Sequence, residues 1–408
     1  MGFAMTIYIL ATCHWPLKMR HTMADSYVEI NQTKLTNNIK AILEKYPEYN
    51  SYIGVVKGDA YGHGMQAVKA LYDGGLRYFA VSSLEEARDL RVYNAHVPVL
   101  CLEPVALYRL QEAADLDLTL GIPDIEYLRA FLDAQVKHSF KLHLMVDSGF
   151  GRLGIKDKGE IKEAVRLINA SGHFLEGIYQ HFATAGIFDP HYDNQIKQFR
   201  ELTSLIDLNE IPMVHLGSGV SLLAHPKIDI ATATRMGLIM YGYNIGPSSY
   251  GTGVKDMLRD LRDKRNRKKY NLTETIKDVQ IDLSPAMSYK CRILQIKDVG
   301  AGEYVGYNAE YQAQELISVA VLPIGYNNGI GHANYGRVVE INGRRYPVIG
   351  EVGMNMCCIK IDNRVKLSDT VTVLGGGISL GRFSRSSGLG LAEILLGIGK
   401  NNERVYVK

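Results

Sequence analysis

Cysteine, net charge and long apolar segments are all scarce in this sequence. The five cysteines are odd in number and irregularly spaced, which excludes a disulfide framework and a Cys-x-x-Cys metal knuckle. A reducing, cytoplasmic compartment is therefore expected. The 46 lysines and arginines nearly balance the 43 aspartates and glutamates, and this balance argues against an extended nucleic-acid surface. The histidines show no HExxH or similar spacing, so no metal site is predicted.

No apolar run approaches the roughly 20 residues that a membrane-spanning helix needs. The segment 1–24 has a short apolar stretch that Thr, Cys and His interrupt, and no basic residue precedes it. We therefore predict neither a membrane span nor a secretory signal, but an N-terminal extension that is dispensable. A charged stretch, 254–271, is interpreted as part of a solvated linker or insertion at 254–278 rather than a partner-binding patch.

The chain does contain a regular alternation of short β-type runs and longer amphipathic stretches. The eight runs, rich in β-branched and aromatic residues, are YIGVV (52–56), YFAVS (78–82), VPVLCL (97–102), DLTLG (117–121), KLHLMV (141–146), LEGIYQH (175–181), MVHLG (213–217) and ATATRMG (231–237). Segments between them, such as KGEIKEAVRLINA (158–170), repeat apolar residues at helical spacing. Eight strand–helix units in succession predict an α/β fold with a closed (β/α)8 TIM barrel, which we place at 32–253.

The pattern changes after the charged stretch. Alternating segments such as LISVAVLPIGY and GRVVEINGRRYPVIG are separated by Gly and Asn, and INGRR between two such runs indicates a hairpin. A C-terminal, mostly antiparallel β domain is therefore predicted, formed by 279–408 together with the early strand segment 25–31. A helix is expected within it at LGLAEILLGIG.

Active sites of such barrels lie where the strands end. Lys57 follows the first barrel run directly and leads into the Gly-rich turn GDAYGHG (58–64). A lysine at the end of a buried strand can be desolvated, which frees its amine to form a Schiff base with a carbonyl cofactor. Lys57 is therefore the first candidate for a covalent cofactor link.

The segment VVKGDAYGHG resembles the cofactor-lysine signature of the alanine racemase family. Members of this family are barrel-type pyridoxal-phosphate enzymes. Further segments resemble the family's motifs in the family's order: VDSGFGRLG (146–154), YQHFATA (179–185), HLGSG (215–219), TRMGLIMYG (234–242), GYNAEY (306–311), LPIGYNNG (322–329) and PVIGEVGMNMC (347–357). The resemblance covers roughly residues 25 to 408. It implies a homodimeric racemase that uses pyridoxal 5'-phosphate and acts on a small amino acid.

The resemblance also implies the cofactor contacts. Lys57 would hold the cofactor, and Arg235 would face its pyridine nitrogen. A guanidinium donates hydrogen bonds and does not accept them, so that nitrogen is expected to stay unprotonated, which limits side reactions such as transamination. His181 is expected at the face of the ring, linked to Arg235. The implied phosphate ligands are the hydroxyls of Tyr61 and Ser218 and the backbone N–H groups around Gly237 and Leu238.

Racemisation removes the Cα proton from one face and returns a proton to the other, so two groups on opposite sides are needed. Lys57 is one, and the resemblance makes Tyr307, contributed by the partner subunit, the other. Arg152 would pair with the substrate carboxylate. The backbone N–H of Met354 would assist it, and Tyr326 would line the entrance.

Three positions depart from the usual family pattern. Met145 stands where many members have a carbamylated lysine that braces the substrate-binding arginine, and Asn355 replaces a common aspartate. Ala392 is interpreted as replacing a tyrosine that narrows the pocket. The expected reaction is L-alanine to D-alanine, which supplies peptidoglycan, and a serine or broader-specificity racemase is the alternative. A pyridoxal-phosphate decarboxylase of basic amino acids is a more distant alternative, because those enzymes commonly place glutamate where this chain has Arg235.

Overall fold

The computed structural model describes residues 24–134, 136–186, 190–244 and 281–408, with isolated positions between 257 and 269. Nearly all of the predicted N-terminal extension, and most of the charged stretch, lie outside the described residues. In the part of the chain that is described, no helix is both long and apolar enough to cross a membrane.

The first strand of the chain, β1 (Ser26–Asn31), precedes a closed barrel of eight parallel strands. The barrel strands are β2 (Ser51–Val55), β3 (Tyr78–Val81), β4 (Val99–Cys101), β5 (Leu118–Ile122), β6 (Lys141–Met145), β7 (Phe174–Tyr179), β8 (Met213–His215) and β9 (Ala233–Met236). Each coincides with one of the eight predicted runs. Strand β9 pairs with β2 and closes the ring, so the predicted TIM barrel is confirmed.

Helices connect the strands and cover the outside of the barrel. Those of the barrel region are Gln32–Lys45, Ala67–Asp73, Leu84–Tyr93, Leu110–Asp115, Ile125–Asp133, Lys158–Asn169, His191–Leu202 and Gly219–Ala224. Several begin at a side-chain cap, since Ser83, Asp124 and Asp157 each accept a hydrogen bond from a backbone N–H of the first helical turn. Such caps satisfy donors that would otherwise lack a partner.

The C-terminal part forms a separate, mostly antiparallel sheet. Its strands are β10 (Met287–Cys291), β11 (Gln295–Val299), β12 (Tyr304–Val305), β13 (Tyr311–Gln312), β14 (Ile317–Leu322), β15 (Val338–Ile341), β16 (Arg344–Ile349), β17 (Cys357–Ile361), β18 (Val371–Leu374) and β19 (Glu403–Val407), with helices Leu380–Ser387 and Leu391–Asn401. The order of the nine-stranded sheet is β11-β14-β17-β16-β15-β18-β10-β1-β19, and β12 pairs with β13 alone.

Two features of this sheet follow from local sequence. Strands β15 and β16 form a two-residue hairpin through Asn342 and Gly343, which both have positive φ, as the Asn-Gly pair favours. Strand β1 lies between β10 and β19, so the N-terminal strand belongs to the C-terminal sheet. The domain limits drawn from the sequence stay a prediction.

The C-terminal sheet also holds the turn that follows Lys57. Arg404 on β19 forms an ion pair with Asp59, and the Tyr406 hydroxyl donates to the carbonyl of His63 at 3.0 Å. Gly62 lies against the backbone of the last helix, where an added Cβ would overlap the carbonyl of Leu395. The position of the Lys57 turn therefore depends on both parts of the chain.

Gly62→Ala is expected to lower the free energy of unfolding by about 3 kcal/mol or more, because alanine is strained at φ +81° and its methyl group would meet a backbone carbonyl. Gly336→Ala is the matched control, since Gly336 has φ +74° but open space around the added Cβ. Gly336→Ala should lower the free energy of unfolding only by the cost of placing alanine in a left-handed conformation, about 1–2 kcal/mol. Urea denaturation measures both losses, and equal values would contradict the close packing at Gly62.

Candidate active site

A cavity of about 730 Å³ opens at the carboxyl ends of the barrel strands. Eight of the predicted site residues line it: Lys57, Tyr61, Arg152, His181, Ser218, Arg235, Gly237 and Leu238. The lining also includes Tyr179, Gln180 and Phe150, which the sequence reasoning did not single out, whereas Ala392 is not part of it. The barrel therefore brings the predicted lysine, two arginines and the predicted phosphate ligands into one cavity.

The turn that carries Lys57 is left-handed. Gly58, Asp59, Ala60 and Tyr61 have φ values of 67°, 55°, 53° and 52°, a region that residues other than glycine rarely adopt. The Gly58 N–H donates to Glu86 at 2.5 Å, and the Asp59 carboxylate accepts from the Met65 N–H at 2.9 Å. These contacts hold a strained backbone in place, as is common at functional sites.

The same turn directs the Tyr61 ring to the backbone of Gly237. A Cβ added to Gly237 would lie 3.0 Å from the Tyr61 hydroxyl oxygen, and one added to Gly219 would lie 3.8 Å from the Gly237 nitrogen. The absence of side chains here leaves a small recess next to a hydroxyl group and backbone N–H groups. Such a recess suits a small anion.

Arg235 is buried, and protein acceptors occupy four of its five N–H bonds. Its Nη1 donates to the His215 carbonyl at 2.6 Å and to His215 Nδ1 at 2.7 Å. Its Nη2 donates to the Gln180 carbonyl at 2.7 Å and to His181 Nδ1 at 3.3 Å. The remaining donor, Nε–H, has no partner among the described residues, so it is available to a ligand in the cavity.

Burial governs the ionisation of this group of side chains. Desolvation lowers the pKa of Arg235 to about 10, which leaves the guanidinium charged at neutral pH. Burial, reinforced by the charges of Arg235 and Arg152, lowers the pKa of His181 to about 3. His181 is therefore neutral, and because its Nδ1 accepts from Arg235, its proton is on Nε2.

Arg152 offers an accessible positive charge at the cavity. Its guanidinium lies 4.5 Å from the centre of the Phe150 ring, and no carboxylate of the described chain forms an ion pair with it. Met145 also lines the cavity, and its thioether methyl packs next to Gly121. Met145 supplies no charge, so Arg152 is free to bind an anionic ligand.

Tyr307, Tyr326 and Met354 do not line this cavity. They lie together around Gly353 on the C-terminal domain, with 68%, 40% and 56% of their surfaces exposed. The Tyr326 N–H donates to the Gly353 carbonyl at 3.1 Å, and a Cβ on Gly353 would lie 3.5 Å from the Tyr307 ring. The three residues thus form one exposed cluster, the Gly353 cluster, separate from the cavity of the same chain.

Tyr307, like Lys57, is adjacent to a left-handed backbone. Asn308 and Ala309 have positive φ, and five of the seven non-glycine residues with positive φ in the described chain flank Lys57 or Tyr307. The Glu351 carboxylate accepts from the Asn308 amide at 2.6 Å and contacts His332 at 2.7 Å. The Gly353 cluster is therefore built on a braced and strained segment.

Comparisons with known proteins agree with this geometry. A curated alanine racemase of Streptococcus pneumoniae serotype 19F (strain G54) is 31% identical over 344 residues, which cover 84% of this chain and 86% of that protein. The crystal structure of alanine racemase from E. faecalis has a TM-score of 0.81 at 27% identity, over 94% of this chain and 98% of that chain. Fold and relatives together define an amino-acid racemase, an isomerase.

The family assignment covers both parts of the molecule. Family models for the alanine racemase N-terminal domain and the alanine racemase C-terminal domain match residues 30–245 and 286–406. The alanine racemase from Bacillus anthracis, solved with bound L-Ala-P, has a TM-score of 0.80 at 28% identity and covers 95% of this chain and 96% of its own. The chain belongs to the alanine racemase family.

The depressed pKa of His181 predicts acid sensitivity. Below its ordinary value of 6.5, the unfolded chain binds a proton that the folded chain does not, so this contribution to stability is complete above that value and is lost as the pH falls toward about 3. His181→Asn should reduce the slope of unfolding free energy against pH by up to about 1.4 kcal/mol per pH unit, measured by urea denaturation between about pH 6 and pH 4. His96→Asn, which removes an exposed histidine, should retain the wild-type slope. Equal slopes for the two variants would show that His181 is not buried in its neutral form.

Proposed function

We propose that this protein is a pyridoxal-phosphate-dependent racemase that converts L-alanine to D-alanine by a two-base mechanism. The observation that carries the proposal is the convergence of Lys57, Arg235 and the recess at Gly237 in one cavity. The opposing acid/base, Tyr307, is supplied by a second copy of the chain. We further infer that the enzyme acts in the cytoplasm and that its product supplies peptidoglycan.

The residues present fit pyridoxal phosphate. The recess between Tyr61 and Gly237, with Ser218 and Leu238 nearby, would hold the phosphate. Lys57, which lines the same cavity as Arg235, would hold the cofactor covalently through its amine. When bound, the cofactor supplies the electron-withdrawing ring that acidifies the substrate Cα–H bond.

The free Nε–H of Arg235 would donate to the ring nitrogen. Because a guanidinium cannot accept a hydrogen bond, this contact would keep the ring nitrogen unprotonated. The other four N–H bonds of Arg235 are taken, so the guanidinium plane cannot rotate away. His181, neutral and hydrogen-bonded to Arg235, would pack at the face of the ring.

The substrate carboxylate would bind Arg152, the accessible cation of the cavity, with help from the Met354 backbone N–H of the partner. This contact orients the Cα–H bond toward one of the two bases. Lys57 Nζ would exchange the proton on one face, and the phenol oxygen of the partner subunit's Tyr307 would exchange it on the other. Tyr326, in the Gly353 cluster, would line the entrance.

The exposed Gly353 cluster favours a shared site. A contiguous apolar surface on a soluble protein commonly marks an interaction site, and Tyr307, Met354 and Met356 are each more than half exposed. Since Tyr307 does not line the cavity of its own chain, a dimer is the arrangement in which it reaches one. The shared site makes the homodimer the active unit.

Alanine is the substrate that the relatives favour, because curated proteins at 31% identity are named alanine racemases. The fold does not decide the substrate, since a histidine racemase from Leuconostoc mesenteroides also has a TM-score of 0.78 at 22% identity over 94% of this chain and 98% of its own. Serine stays open as an alternative, because the resemblance places the small residue Ala392 where alanine-specific members have a tyrosine that narrows the pocket, which would leave room for a hydroxyl.

A racemisation assay over a panel of L-amino acids, with the visible absorbance of the bound cofactor recorded alongside, tests the proposal. Loss of optical rotation is expected to be fastest with L-alanine. A faster rate with L-serine would show that serine, not alanine, is the preferred substrate. Release of carbon dioxide without racemisation would show that the enzyme is a decarboxylase. Lys57→Ala should abolish both the absorbance and the activity.

Subunit mixing tests the shared site. Lys57→Ala and Tyr307→Phe homodimers should each be nearly inactive, whereas a mixed dimer combines one intact Lys57 with an intact Tyr307 from the other chain. Random re-association of equal amounts should restore about one quarter of wild-type activity, since half of the dimers are mixed and each has one intact site. If both residues of a site came from one chain, mixing would restore no activity.

A further inference from the structure

A column of polar side chains crosses the inside of the barrel behind Arg235. His215 Nε2 lies 2.8 Å from His143 Nδ1, and His143 Nε2 lies 3.2 Å from the Glu176 carboxylate. Arg235, His215, His143 and Glu176 are all buried. TIM-barrel interiors are filled mainly by branched apolar residues, so a continuous polar column there requires a reason.

The barrel sequence makes space for this column. His143 on β6 is opposite Gly177 on β7, and a Cβ added to Gly177 would lie 2.6 Å from the His143 ring. Tyr179 stacks on His215 with ring centres 4.7 Å apart. Strand β7 therefore fixes both imidazoles: the absence of a side chain at Gly177 makes space for the His143 ring, and the Tyr179 ring packs against His215.

The two ends of the column determine where every proton lies. Arg235 can only donate, so His215 Nδ1, at 2.7 Å, accepts and His215 has its proton on Nε2. That proton is donated to His143 Nδ1, which leaves the His143 proton on Nε2, where it is donated to Glu176. The reverse order would place two donors against each other at Arg235.

The charges agree with this arrangement. Burial lowers the pKa of both His143 and His215, so both imidazoles are neutral. Burial alone would raise the pKa of Glu176, but hydrogen bonds from His143, Lys141 and Tyr78 outweigh it and bring the pKa to about 2. The column thus connects a buried cation to a buried carboxylate through two neutral rings.

We propose that His215, His143 and Glu176 are positioning residues for Arg235, acting as a hydrogen-bond relay of fixed direction. This inference rests on the proposed function of Arg235 at the cofactor. A carboxylate in direct contact would take two N–H bonds of Arg235 in a bidentate pair. Glu176, which also pairs with Lys141 at 2.8 Å, fixes the acceptor end of the relay. The relay thereby keeps His215 as an acceptor and leaves Nε–H for the cofactor.

The first test does not depend on activity. Nitrogen-15 NMR of histidine-labelled apoenzyme near neutral pH should show His215 and His143 both neutral and protonated on Nε2. Either ring protonated on Nδ1, or cationic, would overturn the relay. In Glu176→Gln, which retains an acceptor oxygen, the same tautomers should persist. If they change, kcat should fall with them, and a changed tautomer with wild-type kcat would contradict the proposal.

The second test separates orientation from packing. Glu176→Leu removes the acceptor and should lower kcat by about 10–100-fold, as loss of a supporting partner does at other sites, with KM little changed because Arg152 binds the substrate. Glu176→Gln should recover much of that loss. Thr119→Val is the matched control, since Thr119 contacts Glu176 at 3.3 Å but lies outside the relay, and it should retain wild-type kcat.

Equal kcat in Glu176→Leu and wild type, or equal losses in Glu176→Leu and Thr119→Val, would overturn the proposal. If Glu176→Leu does not fold, the Gln variant and the tautomers of the wild-type protein decide the matter. Failure of the proposed function would look different, because wild-type protein would then lack racemisation while its histidine tautomers stayed as expected.

Discussion

The rest of the site depends on one constraint, the burial of the Arg235 guanidinium in the barrel. A buried charge is costly unless hydrogen bonds and an opposite charge compensate it. Backbone carbonyls of Gln180 and His215 supply two of the acceptors, and neutral histidines supply the others. The described hydrogen bonds lead from Arg235 through two imidazoles to the carboxylate of Glu176, which also pairs with Lys141. The guanidinium therefore stays charged at the cavity, while hydrogen-bond acceptors inside the barrel satisfy its other N–H groups.

Strain is concentrated at the two groups that the proposed reaction needs. The left-handed residues Asp59, Ala60 and Tyr61 follow Lys57, and Asn308 and Ala309 follow Tyr307. Each strained residue costs of the order of 1 kcal/mol or more, so the surrounding contacts must enforce both turns. The first turn is held partly by the C-terminal strand, which couples the placement of the barrel lysine to the β domain.

The sequence allowed the barrel to be predicted because eight strand runs alternate with amphipathic stretches, and it allowed the cavity to be predicted because resemblance supplied residues at strand ends. It did not reveal the relay. His143, Glu176 and His215 lie within strands whose other residues are mostly apolar, and periodicity indicates only that such positions point inward or outward. Their connection depends on side chains of three neighbouring strands, which sequence spacing does not encode.

The position of Tyr307 illustrates a different limit. A single chain can show that Tyr307 is exposed, braced and absent from its own cavity, whereas the proposed reaction pairs it with a lysine of another copy. The Glu351 contact braces the Tyr307 turn, but an exposed left-handed turn gains no burial within its own chain that would offset its strain. A second subunit that covers this turn would supply the burial that offsets the strain. The turn after Lys57 differs, because Arg404 and Tyr406 of its own chain already hold it in position.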